Sequence, residues 1–121
     1  MGRFLIEFNE QDLLGPYKIY ILDSPMISRR YRVLGRVQGV GFRYFVRQAG
    51  ADLGLSGWVR NCHDGAVETV AEGSVEALEA FEQRLHEGPA LSRVDQVESY
   101  PAAASGEAGF RIVHDARPEP R

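Results

Sequence analysis

The fold is decided by residues 31–53, whose sequence is YRVLGRVQGVGFRYFVRQAGADL. The first part of this segment alternates apolar and polar residues with a period of two, which predicts a strand with one buried face. The last part carries apolar residues at helical spacings, which predicts a helix near residues 43–54. The apolar stripe of this helix consists of Phe42, Phe45, Val46, Ala49 and Leu53. The glycine-rich stretch between them predicts a turn from strand to helix.

A hairpin and a second helix are predicted to follow. Residues 57–61 and 66–71 flank the turn sequence His-Asp-Gly at 63–65, an arrangement typical of two hydrogen-bonded strands. Ser74 can cap a helix near residues 75–87, and a Gly-Pro pair directly after that segment ends it.

Two further strands, over residues 94–100 and 110–113, complete the element order. Strand, helix, strand, strand, helix, strand is the order of the ferredoxin-like α+β sandwich (βαββαβ). In that fold an antiparallel sheet carries both helices on one face. The residues expected to be buried beneath the helices are Phe45, Ala49, Leu78, Phe81 and Leu85.

The chain divides into an extension over residues 1–28, a domain over residues 29–115 and a C-terminal tail over residues 116–121. The alternating apolar residues of segment 17–22 could make a strand of the extension. Met26 could equally be the start of a shorter natural product. Because every element of the predicted fold follows residue 28, we expect residues 1–25 to be dispensable.

Composition places the chain among ordinary globular proteins and disfavours several partners. Its 121 residues are 44% hydrophobic and 26% charged, which suits one domain. The formal charge of −3 lacks the positive field that nucleic acids usually select. The apolar stretch near the N-terminus is too short for a signal peptide or a membrane span. We therefore expect a cytoplasmic monomer whose partner is a small molecule.

Neither a disulfide nor a metal site is expected. Cys62 is the single cysteine, so it cannot form an internal disulfide, and it fits a strand as a small hydrophobic residue. His63, His86 and His114 are too scattered for metal-ligand spacing. The sequence thus predicts a reducing compartment and no cofactor.

The turn over residues 35–43 is the segment that best suits a ligand. Its glycines let the backbone approach closely, and N–H groups at the start of a helix favour an anion such as phosphate. Arg43 adds a permanently charged, forked donor that matches phosphate oxygens. The spacing fits neither the nucleotide P-loop nor the dinucleotide-binding Gly-x-Gly-x-x-Gly pattern.

Two structural alternatives compete with an anion site. A glycine-rich turn is more often only a turn. Residues 41–46 also faintly resemble the aromatic strand of an RNA-recognition motif, but here that stretch begins a helix, which would direct Phe45 into the core.

Asn61, at the end of a predicted strand, would ordinarily be a turn former. Beside an anion-binding turn, its neutral amide could instead orient a water molecule without repelling a phosphate.

The sequence Gly-Arg-Val-Gln-Gly-Val-Gly-Phe-Arg at residues 35–43 resembles the phosphate-loop motif of the acylphosphatase family, and Gly-Trp-Val-Arg-Asn at residues 57–61 resembles the family's second motif. The resemblance covers about residues 30–115 and implies hydrolysis of acyl phosphates such as acetyl or carbamoyl phosphate, without a metal or a covalent intermediate. Arg43 matches the phosphate-binding arginine and Asn61 the asparagine that orients water. The family's loop, whose backbone amides surround the phosphate, matches Gln38, Gly39, Val40, Gly41 and Phe42 of this sequence.

Two other functions stay open beside acyl phosphate hydrolysis. The similar domain at the head of carbamoyl-transferring hydrogenase maturation proteins is disfavoured, because we expect neither room for their later domains nor their zinc-binding cysteines. A non-enzymatic ferredoxin-like module could use Arg43 and the glycine turn only to bind a small anion or to mediate assembly. Phosphate release without added metal distinguishes an enzyme from such a module.

Overall fold

The computed structural model describes residues 3–8, 17–23 and 25–115. Within these residues the elements are β1 (Arg3–Phe8), β2 (Tyr17–Asp23), β3 (Ile27–Arg36), α1 (Phe42–Asp52), β4 (Ser56–Asn61), β5 (Val67–Gly73), α2 (Val75–Glu87), β6 (Arg93–Pro101) and β7 (Phe110–Ile112). β1 and β2 pair with each other in a two-stranded sheet, so the segment that could form a strand of the extension does so. The predicted tail, residues 116–121, lies outside the described residues.

The other five strands form one sheet in the order β6-β3-β5-β4-β7. The first four pair antiparallel, and both helices pack on this sheet, as the ferredoxin-like prediction requires. β7 lies at the edge beside β4 and runs parallel to it, which differs from the expected antiparallel sheet.

Strand register explains the direction of β7. Pro101 pairs with Arg29, Arg29 with Ala71, Ala71 with Gly57, and Gly57 with Phe110, so these five residues form one row across the sheet. The chain therefore leaves β6 and enters β7 at the same end of the sheet. β7 must run opposite to β6, and because β4 also runs opposite to β6, β7 and β4 are parallel.

Both predicted helices are present, with different beginnings. α2 covers the predicted residues, and the Ala77 N–H donates to Ser74 Oγ at 3.2 Å, which makes Ser74 its N-cap. α1 begins one residue earlier than predicted, after Gly41, which has a left-handed conformation and provides no side-chain cap. Across the described residues, no helix combines the length and hydrophobicity needed to cross a membrane.

The core between helices and sheet contains four of the five residues expected there: Ala49, Leu78, Phe81 and Leu85. Phe45 is only partly buried and packs against the core, with its ring 5.9 Å from that of Phe42. The buried face of α1 is instead centred on Phe42, Val46 and Ala49, residues spaced four and three apart. The expected burial of Phe45 is therefore corrected, because this residue lies at the margin of the apolar stripe.

Phe81→Ala should reduce the free energy of unfolding by about 3–5 kcal/mol, because it leaves a cavity at the centre of the core. The Phe81 side chain is fully buried, and its ring lies 5.6 Å from that of Tyr31 and 5.7 Å from that of Phe110. Urea unfolding followed by circular dichroism measures the change. Leu91→Ala is the control, since Leu91 is 76% exposed. Equal stability of the two variants would contradict the core assignment.

Candidate functional site

The two sequence motifs meet at one end of the five-stranded sheet. β3 and β4 both pair antiparallel with β5, so they run in the same direction and end at the same side. The turn after β3 and the last residue of β4 thus border a small cavity of about 80 Å³. The residues lining this cavity are Val37, Gly39, Gly41, Phe42, Arg43, Tyr44 and Asn61. Arg43 and Asn61, 18 positions apart in the sequence, therefore share one cavity.

The turn between β3 and α1 presents backbone N–H groups without acceptors. Gly39 and Gly41 have φ values of 75° and 79°, which glycine adopts readily and other residues rarely do. The first N–H of the helix with a backbone acceptor is that of Phe45, which donates to the Gly41 carbonyl at 3.1 Å. In the described part of the chain, the N–H groups of residues 38–44 donate to no acceptor. The first turn of α1 also holds no acidic residue. These are the properties of an anion site.

Arg43 lies in the first turn of α1 and already contacts a carboxylate. Its NH1 group is 3.1 Å from Oδ1 of Asp115, which follows β7 by three residues. Both side chains are about half exposed, so this ion pair is weak by itself. A phosphate bound to Arg43 would compete with the Asp115 carboxylate for the same guanidinium. Sequence reasoning missed Asp115, because it belongs to no motif and lies 72 positions away.

Asn61 carries an unusual oxygen. Its Oδ1 atom is buried and accepts no hydrogen bond from any group that the structure describes. Buried polar atoms in proteins are nearly always hydrogen-bonded, so an exception calls for an explanation. Since Asn61 lines the cavity beside Arg43, a rotation of its amide would expose this oxygen to a water molecule or a ligand there.

The Gln38 side chain does not line the cavity. Its Nε2 donates to the carbonyls of Cys62 and Ala66, at 2.8 and 2.9 Å, and so ties the anion-binding turn to the β4–β5 turn. Cys62 directly follows Asn61, which means that these bonds also hold Asn61 in position relative to the turn. Gln38 can therefore meet an anion only through its backbone. Val40 also does not line the cavity and packs against the core.

Neither Cys62 nor any of the three histidines lines this cavity. Cys62 is buried, and this burial raises the pKa of its thiol, which keeps it protonated. His63, His86 and His114 are exposed, and none of them belongs to a cluster suited to a metal ion among residues 3–8, 17–23 and 25–115.

Known proteins share both the sequence and the fold of this domain. The family model described as Acylphosphatase matches residues 29–112. The acylphosphatase of Koribacter versatilis (strain Ellin345) is 55% identical over 86 residues, which cover 70% of this chain and 78% of that protein. The acylphosphatase from Bacillus subtilis, a crystal structure, matches with a TM-score of 0.69 and 40% identity over 74% of this chain and 99% of its own.

A larger protein also contains this fold. Full-length HypF, solved in a phosphate- and nucleotide-bound form, matches 76% of this chain with a TM-score of 0.70 and 30% identity, but over only 12% of its own length. The acylphosphatases, by contrast, match this chain over most of their own length. From the family model, these identities and the shared fold, it follows that the chain belongs to the acylphosphatase family and is an acylphosphatase.

Proposed function

We propose that this enzyme hydrolyses acyl phosphates by direct attack of water on the bound phosphate. The observation that carries the mechanism is the buried, unpartnered Oδ1 of Asn61, a residue that lines the same cavity as Arg43. A site for phosphate and a site for water then lie side by side. No covalent intermediate is needed.

The phosphate is held by the turn and by Arg43. Backbone N–H groups of Gln38, Gly39, Val40, Gly41 and Phe42, which have no acceptor in the described protein, donate to the phosphate oxygens. The positive end of the α1 dipole favours the same anion. Arg43 leaves Asp115 and donates two parallel hydrogen bonds to the phosphate. The charge of the phosphate is thus balanced by the protein itself, so we propose hydrolysis without a metal.

The water is held by Asn61. Its Oδ1 accepts a hydrogen bond from the water, whose oxygen then forms a bond to phosphorus while the bond to the acyl oxygen breaks. The carboxylate leaves with the bonding electrons, and a water proton passes to a phosphate oxygen. A carboxylate is a good leaving group, so positioning and charge stabilisation suffice without a strong base.

Phosphate release tests this proposal. The purified chain, treated with EDTA, should release inorganic phosphate from acetyl phosphate and from benzoyl phosphate. A phosphate monoester with an alkyl leaving group should react far more slowly, because an alkoxide is a far poorer leaving group than a carboxylate. Release that needs added metal would refute the metal-free mechanism. Phosphate binding without any release would favour the non-enzymatic anion-binding module.

Asp115→Asn should lower the inhibition constant of inorganic phosphate, since the Asp115 carboxylate and phosphate compete for Arg43. The expected change is about two- to fivefold, the range for a partly exposed ion pair. Asp95→Asn is the matched control, because Asp95 also pairs with an arginine, Arg93, but does not line the cavity. Weaker phosphate inhibition in Asp115→Asn would show instead that Asp115 orients Arg43 for binding.

We further propose that residues 29–115 form the catalytic domain and that residues 1–28 are an extension whose last two residues, Ile27 and Ser28, begin β3 and pair with β5. The five-stranded sheet, both helices and the cavity all follow Met26. A chain shortened to begin at Met26 should keep its turnover and its phosphate inhibition constant in the assay above. Loss of activity in a folded shortened chain would make the extension part of the enzyme. The cysteine of this protein, Cys62, is buried and protonated, which is compatible with the proposed cytoplasmic location.

A further inference from the structure

Among the described residues that line the cavity, Tyr44 is the one with an exposed side chain that the proposed mechanism does not use. Of the other lining residues, Val37 and Phe42 are buried, Gly39 and Gly41 have no side chain, and Arg43 and Asn61 hold phosphate and water. Tyr44 is 65% exposed although its side chain is large and aromatic. An acyl group projecting from the phosphate therefore has one extended apolar lining surface to contact.

Arg47 holds the Tyr44 ring from one side. The carbon at the centre of its guanidinium group lies 4.6 Å from the ring centroid, a cation–π distance, and the two residues are three positions apart on α1. A ring supported in this way loses less conformational freedom when a ligand contacts it. Most of the Tyr44 surface nevertheless stays accessible.

The in-line geometry of phosphoryl transfer places the acyl group on the side of phosphorus opposite the attacking water. Attacking and leaving oxygens lie roughly in line across phosphorus, so a water held by Asn61 on β4 directs the leaving carboxylate to the opposite side. Tyr44 lies on α1, a different wall of the cavity from β4. We propose that Tyr44, supported by Arg47, is the acyl-binding surface and that it favours acyl phosphates with a planar, apolar acyl group. This inference rests on the proposed function.

The test compares two substrates that share the phosphate but differ in the acyl group. kcat/KM is measured for benzoyl phosphate and acetyl phosphate with the wild type, Tyr44→Ala and Tyr44→Phe. Tyr44→Ala should lower the benzoyl-to-acetyl ratio of kcat/KM by about 3- to 10-fold, the scale of one aromatic stacking contact. Tyr44→Phe should keep the wild-type ratio, because it keeps the ring.

Tyr100→Ala is the matched control. Tyr100 is also exposed and also has a guanidinium carbon, that of Arg30, 4.6 Å from its ring centroid, but it does not line the cavity. This variant should keep the wild-type kcat/KM for both benzoyl phosphate and acetyl phosphate. An unchanged ratio in Tyr44→Ala, or equal losses for the two substrates, would overturn the acyl-binding role alone. If the wild type hydrolysed neither substrate, the proposed function and this inference would fail together.

Discussion

Arg43→Gln should weaken inhibition by inorganic phosphate and lower kcat/KM for benzoyl phosphate by about 10²- to 10⁴-fold. Two charge-assisted hydrogen bonds are lost, each contributing about 1.5–3 kcal/mol, and the neutral amide cannot replace the charge. Arg43→Lys should rescue little, because lysine keeps the charge but loses the planar fork that fits two phosphate oxygens. Steady-state hydrolysis and phosphate inhibition constants for the three proteins measure both effects.

Folding must be separated from function in this experiment. Arg43→Gln also breaks the ion pair with Asp115, but both side chains are about half exposed, so we expect the midpoint of thermal unfolding to change little. Arg84→Gln serves as the control, since Arg84 forms a similarly exposed ion pair with Asp52 and does not line the cavity. A normal phosphate inhibition constant in folded Arg43→Gln would remove Arg43 from the phosphate site.

Elements with local signals could be predicted from the sequence. The bounds of α2 follow from the Ser74 cap and from Gly88, which ends the helix with a positive φ. The same reasoning placed Arg43 and Asn61 at the ends of neighbouring elements. Local periodicity defines an apolar stripe, but not which of its residues is central. The periodicity therefore did not show that Phe42 is fully buried while Phe45 is only partly buried.

Contacts between distant segments could not be predicted in this way. Gln38 reaches carbonyls 24 and 28 positions away, and Asp115 reaches Arg43 across 72 positions. Both contacts depend on where the sheet places its turns and its edge strand. The parallel direction of β7 likewise depends on the path of the loop after Pro101, which no local pattern encodes. Motifs therefore indicated the candidate site residues, while the structure was needed to find the side chains that contact them.

Asn61→Ala should separate binding from catalysis. Truncation leaves the anion-binding turn and Arg43 in place, so the phosphate inhibition constant should stay within about twofold of the wild-type value, because one neutral side chain outside the phosphate contacts is lost. Turnover of benzoyl phosphate should fall by about 10²-fold or more, the scale for losing one preorganised polar contact in a transition state. Steady-state kinetics with phosphate as competitive inhibitor measures both quantities.

Stability provides an independent check on the role of Asn61. Its Oδ1 is buried without a hydrogen-bond partner among the described residues, and such an atom costs a protein about 1–3 kcal/mol. Asn61→Ala removes this atom, so the variant should lose turnover while its midpoint of thermal unfolding stays the same or rises. Gln96→Ala, which removes an exposed amide on β6, should change neither property. Near-normal turnover in Asn61→Ala would refute its role in holding water. Loss of turnover together with a marked drop in stability would instead indicate that Asn61 supports the fold of the site.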